Sequence, residues 1–315
     1  SISFTLNNCK TTTILKYKLK PSKGLSFEVL LDGKHKEDFK PKIQQFFERI
    51  LIYAPYLETH HFLIETSNTF PHSSGIASSA SGISALAMCL MQLERLVYPD
   101  LDAAYLKRKA SFLARLGSGS ACRSIEGGLV VWGQHKAISG SSDLQGLKFP
   151  SEVHAVFHDY QDAILLVDKG EKQVSSSVGH NLMHQHPFAK QRFEQAFTHL
   201  DQLIPILKNG DLSGFIKIVE LEALTLHAMM MCSDPYFILM KPNTLEIINA
   251  LRTFRKASKI PVCFTLDAGA NVHVLYPKKY ALEVNEFISN KLANYCQNKQ
   301  YILDSVGKGA EYIEF

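Results

Sequence analysis

Three short segments carry most of the chemistry open to this sequence. The first is Pro71-His72-Ser73-Ser74-Gly75-Ile76-Ala77-Ser78-Ser79-Ala80-Ser81-Gly82. Pro71 ends what precedes it, Gly75 permits a backbone bend, and a helix then starts on small residues. The unpaired N–H groups and positive dipole end of such a start form a seat for an anion. The hydroxyls of Ser74, Ser78 and Ser79 can donate to a phosphate or coordinate Mg²⁺. The other reading is a small-residue helix packed closely against a neighbour. The second segment is Gly117-Ser118-Gly119-Ser120-Ala121-Cys122-Arg123-Ser124, a flexible, donor-rich turn. The planar fork of Arg123 suits a carboxylate or phosphate, although a GSGS turn can be only a loop. The third is Asp267 in Thr265-Leu266-Asp267-Ala268-Gly269-Ala270-Asn271. A carboxylate ending the apolar strand Val262, Phe264, Leu266 either caps the turn or acts on a substrate.

Other chemistries find little support. There is no GxxxxGK[ST] phosphate loop, no complete dinucleotide fingerprint around Gly117 and Gly119, no GxSxG elbow and no HExxH pair. His180, His184 and His186 lie close together, with His180 and His184 four apart on an expected helix. No cysteine or carboxylate at helical spacing completes a tetrahedral set, so the cluster reads as a polar helix face.

Alternating and β-rich patterns over residues 1–31 predict strands, and Ile43, Phe46, Phe47, Ile50 and Leu51 predict a helix over 39–53. A polar turn is expected over 34–40, a short strand over 62–65, and helices over 75–96 and 101–116. Strands at 128–133 and 163–167 flank a Ser/Gly/Asp-rich loop, and 176–232 reads as mostly helical. A helix at 245–255, strands at 262–266 and 272–276, a helix at 280–296 and a strand at 301–306 complete the chain. Early strands followed by mixed helices and strands predict an α+β fold. A soft boundary near 165–175 divides it into 1–170 and 171–315.

Composition bounds the function further. The 315 residues include 34 Lys plus Arg and 30 Asp plus Glu, a formal charge of +4, with 46% apolar and 20% charged residues. That balance is globular, and the scattered lysines form no basic stripe for a nucleic acid. No apolar run reaches the ~18 residues of a membrane span. Its nearest approach, 76–93, carries four serines and reads as a buried helix. The six cysteines are widely spaced without a CxxC pair, which favours reduced thiols and a cytoplasmic enzyme. The chain starts at Ser1 with no Met, inside a strand-like pattern, so a missing native start is expected.

In this order, the anion-binding helix start, the Arg-bearing turn and the strand-end Asp resemble the GHMP kinase superfamily, and within it the diphosphomevalonate decarboxylase family. The residues are Asn68-Thr69-Phe70-Pro71 running into Gly75–Ala80, GSGSACRS over 117–124, and TLDAGAN over 265–271. Val174-Ser175-Ser176 followed by Gly179, Leu226-His227-Ala228 ahead of Pro235, Val306-Gly307-x-Gly309 and SISFTL over 1–6 add to the likeness. It spans nearly the whole chain. The resemblance implies a two-lobed fold: a ribosomal-protein-like, ATP-phosphate-binding lobe over 1–170 that lacks its first strand, and a ferredoxin-like lobe over 171–315.

It also implies ATP- and Mg²⁺-dependent 3-O-phosphorylation of mevalonate diphosphate, then loss of phosphate and CO₂ to give isopentenyl diphosphate and ADP. Pro71, Ser73, Ser74, Gly75, Ala77, Ser78 and Ser79 would cradle the ATP phosphates, with Ser79 also at the metal. Asp267 would orient the 3-hydroxyl or take its proton, and Arg123 would hold the carboxylate. Ser118, Gly119, Ser120, Ser175 and Ser176 would line the substrate pocket. A homodimer is expected, without nucleic acid or membrane.

The sequence departs from the family pattern in four places. It starts after the KYWGK-like segment that contacts the substrate diphosphate. His72 stands where a small hydroxyl residue is usual, Ala270 replaces a proline, and Ser177 occupies a position that is arginine in some members. These changes leave room for mevalonate or its monophosphate as substrate, or for a catalytically silent nucleotide-binding relative. A kinase without decarboxylation would be expected to lose Arg123 or Asp267, and both are present.

Overall fold

The computed structural model describes residues 1–71, 76–170 and 182–313, the side chain of His184 apart. They form two compact units. The N-terminal unit comprises Ile2–Phe70, Ala77–Pro150 and Gly307–Phe315, its described part ending at 313. The C-terminal unit is Ser151–Val306, with Ser1 and, of the described residues between them, Pro71 and Ile76.

In the N-terminal unit, strand β1 (Ile2–Phe4) is followed by β2 (Thr11–Leu19), β3 (Phe27–Leu31) and the two-residue β4 (Lys34–His35). Helix α1 (Lys40–Ile50) starts with a proline in its first turn, where the missing N–H costs no hydrogen bond. Strand β5 (His60–Asn68) pairs antiparallel with β2 along nine residues, from Leu19 opposite His60 to Thr11 opposite Asn68. It also pairs in parallel with β3, so the connection through α1 is a crossover and the sheet order is β2-β5-β3-β4. Helix α2 (Ser78–Val97) and helix α3 (Ala103–Gly117) follow, the latter capped by Asp102, whose carboxylate accepts from the Tyr105 amide at 3.0 Å. Strands β6 (Leu129–Val131) and β7 (Leu147–Lys148) complete a second antiparallel sheet in the order β1-β6-β7.

The apolar stripes of α1, α2 and α3 bury Phe46, Phe47, Ile50, Ile83, Leu86, Leu90, Met91 and Leu113 against Phe62 and Ile64 of β5. By length and composition alone α2 could cross a membrane, but those buried residues make it the core helix of this unit.

Between α2 and α3 lies an ion pair screened from water. Lys109 Nζ donates to both carboxylate oxygens of Glu94, at 2.6 and 2.8 Å, and the two side chains are 16% and 7% exposed. Removing one member leaves the other charged and buried, which costs about 3 kcal/mol or more. Lys109→Met is therefore expected to lower the unfolding free energy by that amount, read as a fall in the urea midpoint, and adding Glu94→Gln should recover part of the loss. Equal midpoints for wild type and Lys109→Met would contradict the assignment.

The C-terminal unit begins with β8 (Gln161–Leu165). Helices α4 (Ala189–Asn209), α5 (Leu212–Met231) and α6 (Pro242–Ser258) come next, then β9 (Cys263–Leu266), β10 (Val272–Tyr276), α7 (Ala281–Asn290) and β11 (Tyr301–Ser305). All neighbours in the β11-β8-β10-β9 sheet are antiparallel. One sheet face carries Ala163, Leu165, Phe264, Leu266, Val272, Val274 and Tyr276. It packs on Ala223 of α5, Ile247 and Leu251 of α6, and Val284 and Ile288 of α7.

The α+β class is as expected from the sequence. The dividing line at 170 is not where the structure separates: β8 pairs with β10 and β11, which places its residues in the C-terminal unit, while residues from 307 onward belong to the N-terminal unit. Strand pairing between distant segments decides this, and local composition does not record it. The expected helix over 280–296 stops at Asn290 and continues as a short 3-10 helix, Leu292–Tyr295.

The other face of this sheet holds a buried ion pair. His273 Nδ1 lies 2.8 Å from Asp162 Oδ2, with side chains 13% and 4% exposed. Burial alone would lower the pKa of His273. The Asp162 carboxylate outweighs it, helped by Asp267 and Asp304, and the net shift is upward. A histidine raised above its unfolded value of about 6.5 contributes stability that is complete below that pH and is lost as pH rises through the folded pKa. Urea midpoints are thus expected to fall from about pH 6 toward pH 9, and His273→Gln should flatten that slope. An unchanged slope in the variant would count against the ion pair.

Candidate active site

Helix α2 emerges from Ala77, whose φ of 50° and ψ of 34° are left-handed. A Cβ is disfavoured there by about 1–2 kcal/mol, a local strain often found at functional sites. Ala77 and Ser79 are exposed and Ser78 is half-buried. The Ala80 and Ser81 amides donate to Ala77 O at 2.9 and 3.1 Å, and helix geometry gives the Ser78 and Ser79 amides no intrahelical acceptor. The structure adds a cation that the sequence reading missed: Lys42 Nζ, from α1, donates to Ser79 Oγ. Desolvation of this amine lowers its pKa from the ordinary lysine value. Nothing in the sequence spacing singles out Lys42 among the lysines; packing of α1 beside α2 does.

The segment read as a flexible turn is instead a 3-10 helix, Gly119–Ser124, and it is firmly held. Ser84 Oγ of α2 donates to Ala121 O at 2.7 Å, and Ser111 Oγ of α3 donates to Cys122 O at 3.0 Å. Five residues of α2 separate Ser79 from Ser84, about 7.5 Å of rise. The Ser78–Ser79 helix start and the Arg123 segment are thus brought onto one scaffold. Its glycines are required sterically: a Cβ on Gly117 would meet the side chains of Phe46 and Ile83 at 2.6 and 2.7 Å, and one on Gly119 would meet Trp132 at 2.7 Å. Arg123 is half-buried. Burial pushes the neighbouring Cys122 thiol up to about 11, against the pull of Arg123 and Arg115, so this cysteine is no nucleophile.

Asp267 stands exposed at the end of β9, where five residues join β9 to β10 between the paired Leu266 and Val272. Its carbonyl oxygen accepts from the Gly269 amide at 2.8 Å and from His227 Nε2 at 3.1 Å. His227 lies on α5 and is 1% exposed. Burial lowers its pKa more than the bond and the charge of Asp267 raise it, so the ring is neutral near pH 7 and carries its proton on Nε2. Ala270 O accepts from Thr244 Oγ1 at 2.7 Å, and Asn271 Oδ1 accepts from the Asp168 amide at 2.9 Å. The sequence motifs include His227 and Asn271 but give them no role, and no local pattern marks Thr244.

Residues 1–144 match the family described as "Diphosphomevalonate decarboxylase-like N-terminal domain", and residues 163–311 match "Mevalonate 5-diphosphate decarboxylase C-terminal domain". The chain belongs to the diphosphomevalonate decarboxylase family. A diphosphomevalonate decarboxylase of Ganoderma lucidum is 29% identical over 241 residues, which are 74% of this chain and 58% of that protein. The match thus spans less than two thirds of that relative. A phosphomevalonate decarboxylase of Haloferax volcanii is 26% identical over 79% of this chain and 71% of its own length. The fold superposes with a TM-score of 0.83, at 28% identity, on a solved structure of "MDDEF in complex with MVAPP, AMPPCP and Magnesium", covering 100% of this chain and 90% of that one.

Of the residues the resemblance assigns to a diphosphomevalonate decarboxylase site, Ala77, Ser78, Ser79, Ser118, Gly119, Ser120 and Arg123 lie in the N-terminal unit. Pro71 and Asp267 lie in the C-terminal unit. Ser73, Ser74, Gly75, Ser175 and Ser176 lie outside the described residues, as do His72, Ser177 and His180.

Proposed function

We propose that this diphosphomevalonate decarboxylase family member carries out the ATP-dependent decarboxylation of mevalonate diphosphate to isopentenyl diphosphate, with ADP, phosphate and CO₂ as the other products. The observation that carries this reading is the 3-10 helix bearing Arg123, anchored through Ser84 to the helix whose start holds Ser78 and Ser79. A carboxylate-gripping fork and a phosphate seat on one scaffold suit a decarboxylase that phosphorylates its substrate.

ATP with Mg²⁺ supplies the phosphoryl group that turns a tertiary hydroxyl into a leaving group. The chain fits it: the Ser78 and Ser79 amides at the start of α2, the hydroxyls of the same two residues and the Lys42 ammonium are the donors a triphosphate needs. Ser79 offers one protein oxygen for the metal. Among the described residues no group of three or more His, Cys, Asp or Glu could cage an ion, and Mg²⁺ commonly takes few protein ligands beside phosphates and water.

Asp267 accepts the proton of the 3-hydroxyl, or orients it, as the oxygen attacks. Arg123 pairs both carboxylate oxygens of the substrate and aligns the bond to be broken with the C–O bond. The electron pair of that C–C bond becomes the new alkene while the C–O pair leaves with phosphate. Where Asp267 only orients the hydroxyl it keeps its charge, and the carboxylate then stabilises the positive charge developing at the carbinol carbon. Ser118, Ser120, Ser175 and Ser176 serve as donors to the substrate's anionic groups. We also take the enzyme to be a cytoplasmic homodimer, on the family likeness and on its widely spaced free cysteines.

The test is the yield of ADP and CO₂ from mevalonate, its monophosphate and its diphosphate. Equal release of both from the diphosphate is expected. The Haloferax relative favours one other reading, in which the monophosphate is the substrate, and the same assay separates the two. Release of ADP with no CO₂ from any of the three would reduce the protein to a kinase.

A further inference from the structure

The loop that presents Asp267 is held at both ends by side chains from two different helices. At its start, His227 of α5 donates Nε2–H to the Asp267 carbonyl oxygen at 3.1 Å, which the Gly269 amide also engages at 2.8 Å. At its end, the Thr244 hydroxyl of α6 donates to Ala270 O at 2.7 Å. Both anchors are buried, at 1% and 0% exposure, whereas Asp267 is exposed. The bonds that His227 and Thr244 make to the loop end on its carbonyl oxygens. A buried imidazole needs a hydrogen-bond partner, and the partner here is the residue whose carboxylate the reaction uses.

We infer that His227 is a positioning residue for the phosphorylation and decarboxylation steps, with Thr244 as its counterpart at the far end of the loop. The inference rests on the reading of Asp267 as the group beside the substrate hydroxyl. A side chain on an exposed loop samples several placements unless its backbone is tied. Two bonds on one carbonyl restrict rotation about the Asp267 peptide, and so the direction of its Cα–Cβ bond. A displacement of 1 Å at a reacting group costs about 10²-fold in rate, so a loosened loop should show in kcat before it shows in nucleotide binding.

Two polar variants of similar burial separate positioning from bulk packing. The amide nitrogen of His227→Gln reaches about as far from Cα as Nε2, while that of His227→Asn falls short. With mevalonate diphosphate and ATP, His227→Asn is expected to lower kcat about 10- to 100-fold, with KM for ATP within about twofold. His227→Gln should recover most of the rate, and thermal midpoints should match between the two. Faster amide exchange at Gly269 in His227→Asn is the structural counterpart. Equal kcat for the two variants in an active enzyme would overturn the inference and leave the proposed function standing. If the unaltered chain releases no ADP from any mevalonate phosphate, the function falls and the inference with it. Should His227→Asn fail to fold, Thr244→Val decides: a fall in kcat at unchanged KM for ATP supports the clamp, and an unchanged kcat overturns it.

Discussion

Asp267→Asn is expected to lower turnover about 10²- to 10⁴-fold, the range that a positioned general base contributes. The substitution keeps the shape of the side chain and leaves the carbonyl oxygen that accepts from His227 and Gly269 in place. The loop should therefore hold, and the thermal midpoint should stay within a degree or two. ATP should still bind, because the phosphate donors at Ser78, Ser79 and Lys42 belong to the other unit. A nucleotide-binding isotherm run beside the kinetics separates these contributions. Activity within about fivefold of wild type would remove Asp267 from the reaction and return it to its plainer reading as a turn residue.

The second large effect is expected at Arg123. Truncating one partner of a desolvated, hydrogen-bonded charge pair costs about 2–5 kcal/mol, or about 30- to several-thousand-fold in kcat/KM at 1.36 kcal/mol per decade. Arg123→Gln should incur that loss, and CO₂ release should suffer more than ADP formation. The carboxylate must be aligned for the C–C bond to break, whereas phosphorylation of the hydroxyl depends on it less. Arg123→Lys should recover little, since a point charge cannot reproduce two parallel N–H···O bonds. The scaffold should survive both changes, because Ser84 and Ser111 hold the carbonyls of Ala121 and Cys122. A ratio of ADP to CO₂ that stays at one in Arg123→Gln would mean that the arginine binds the substrate without steering decarboxylation.

Much of this protein is legible along the chain because its signals are local. Apolar spacing at 3.6 residues locates α1 and α2, and the alternation over Thr11–Leu19 locates β2. The asparagine and glycine of the 267–271 segment mark the β9–β10 loop. The combination of GSGSACRS with TLDAGAN is also local, and it suffices for the family. The fault lay where a local rule met distant packing. Glycine and serine at 117–120 read as flexibility, yet Gly117 and Gly119 are small because Phe46, Ile83 and Trp132 leave no room for a Cβ. Likewise β8 looked like the end of the first half, but its edges are completed by β10 and β11, more than a hundred residues further on.

By itself, then, the sequence determined most of the elements, the α+β class and the family, which rest on patterns a few residues long, and it nominated the reactive residues that the proposed function uses. Only the tertiary structure decided that Lys42 stands beside Ser79, that His227 and Thr244 hold the Asp267 loop, and that residues 307 onward belong with the N-terminal unit. Those partners are separated by between 26 and 40 residues in the first two cases. Chain connectivity sets no distance between such groups until the apolar faces around them are buried against each other.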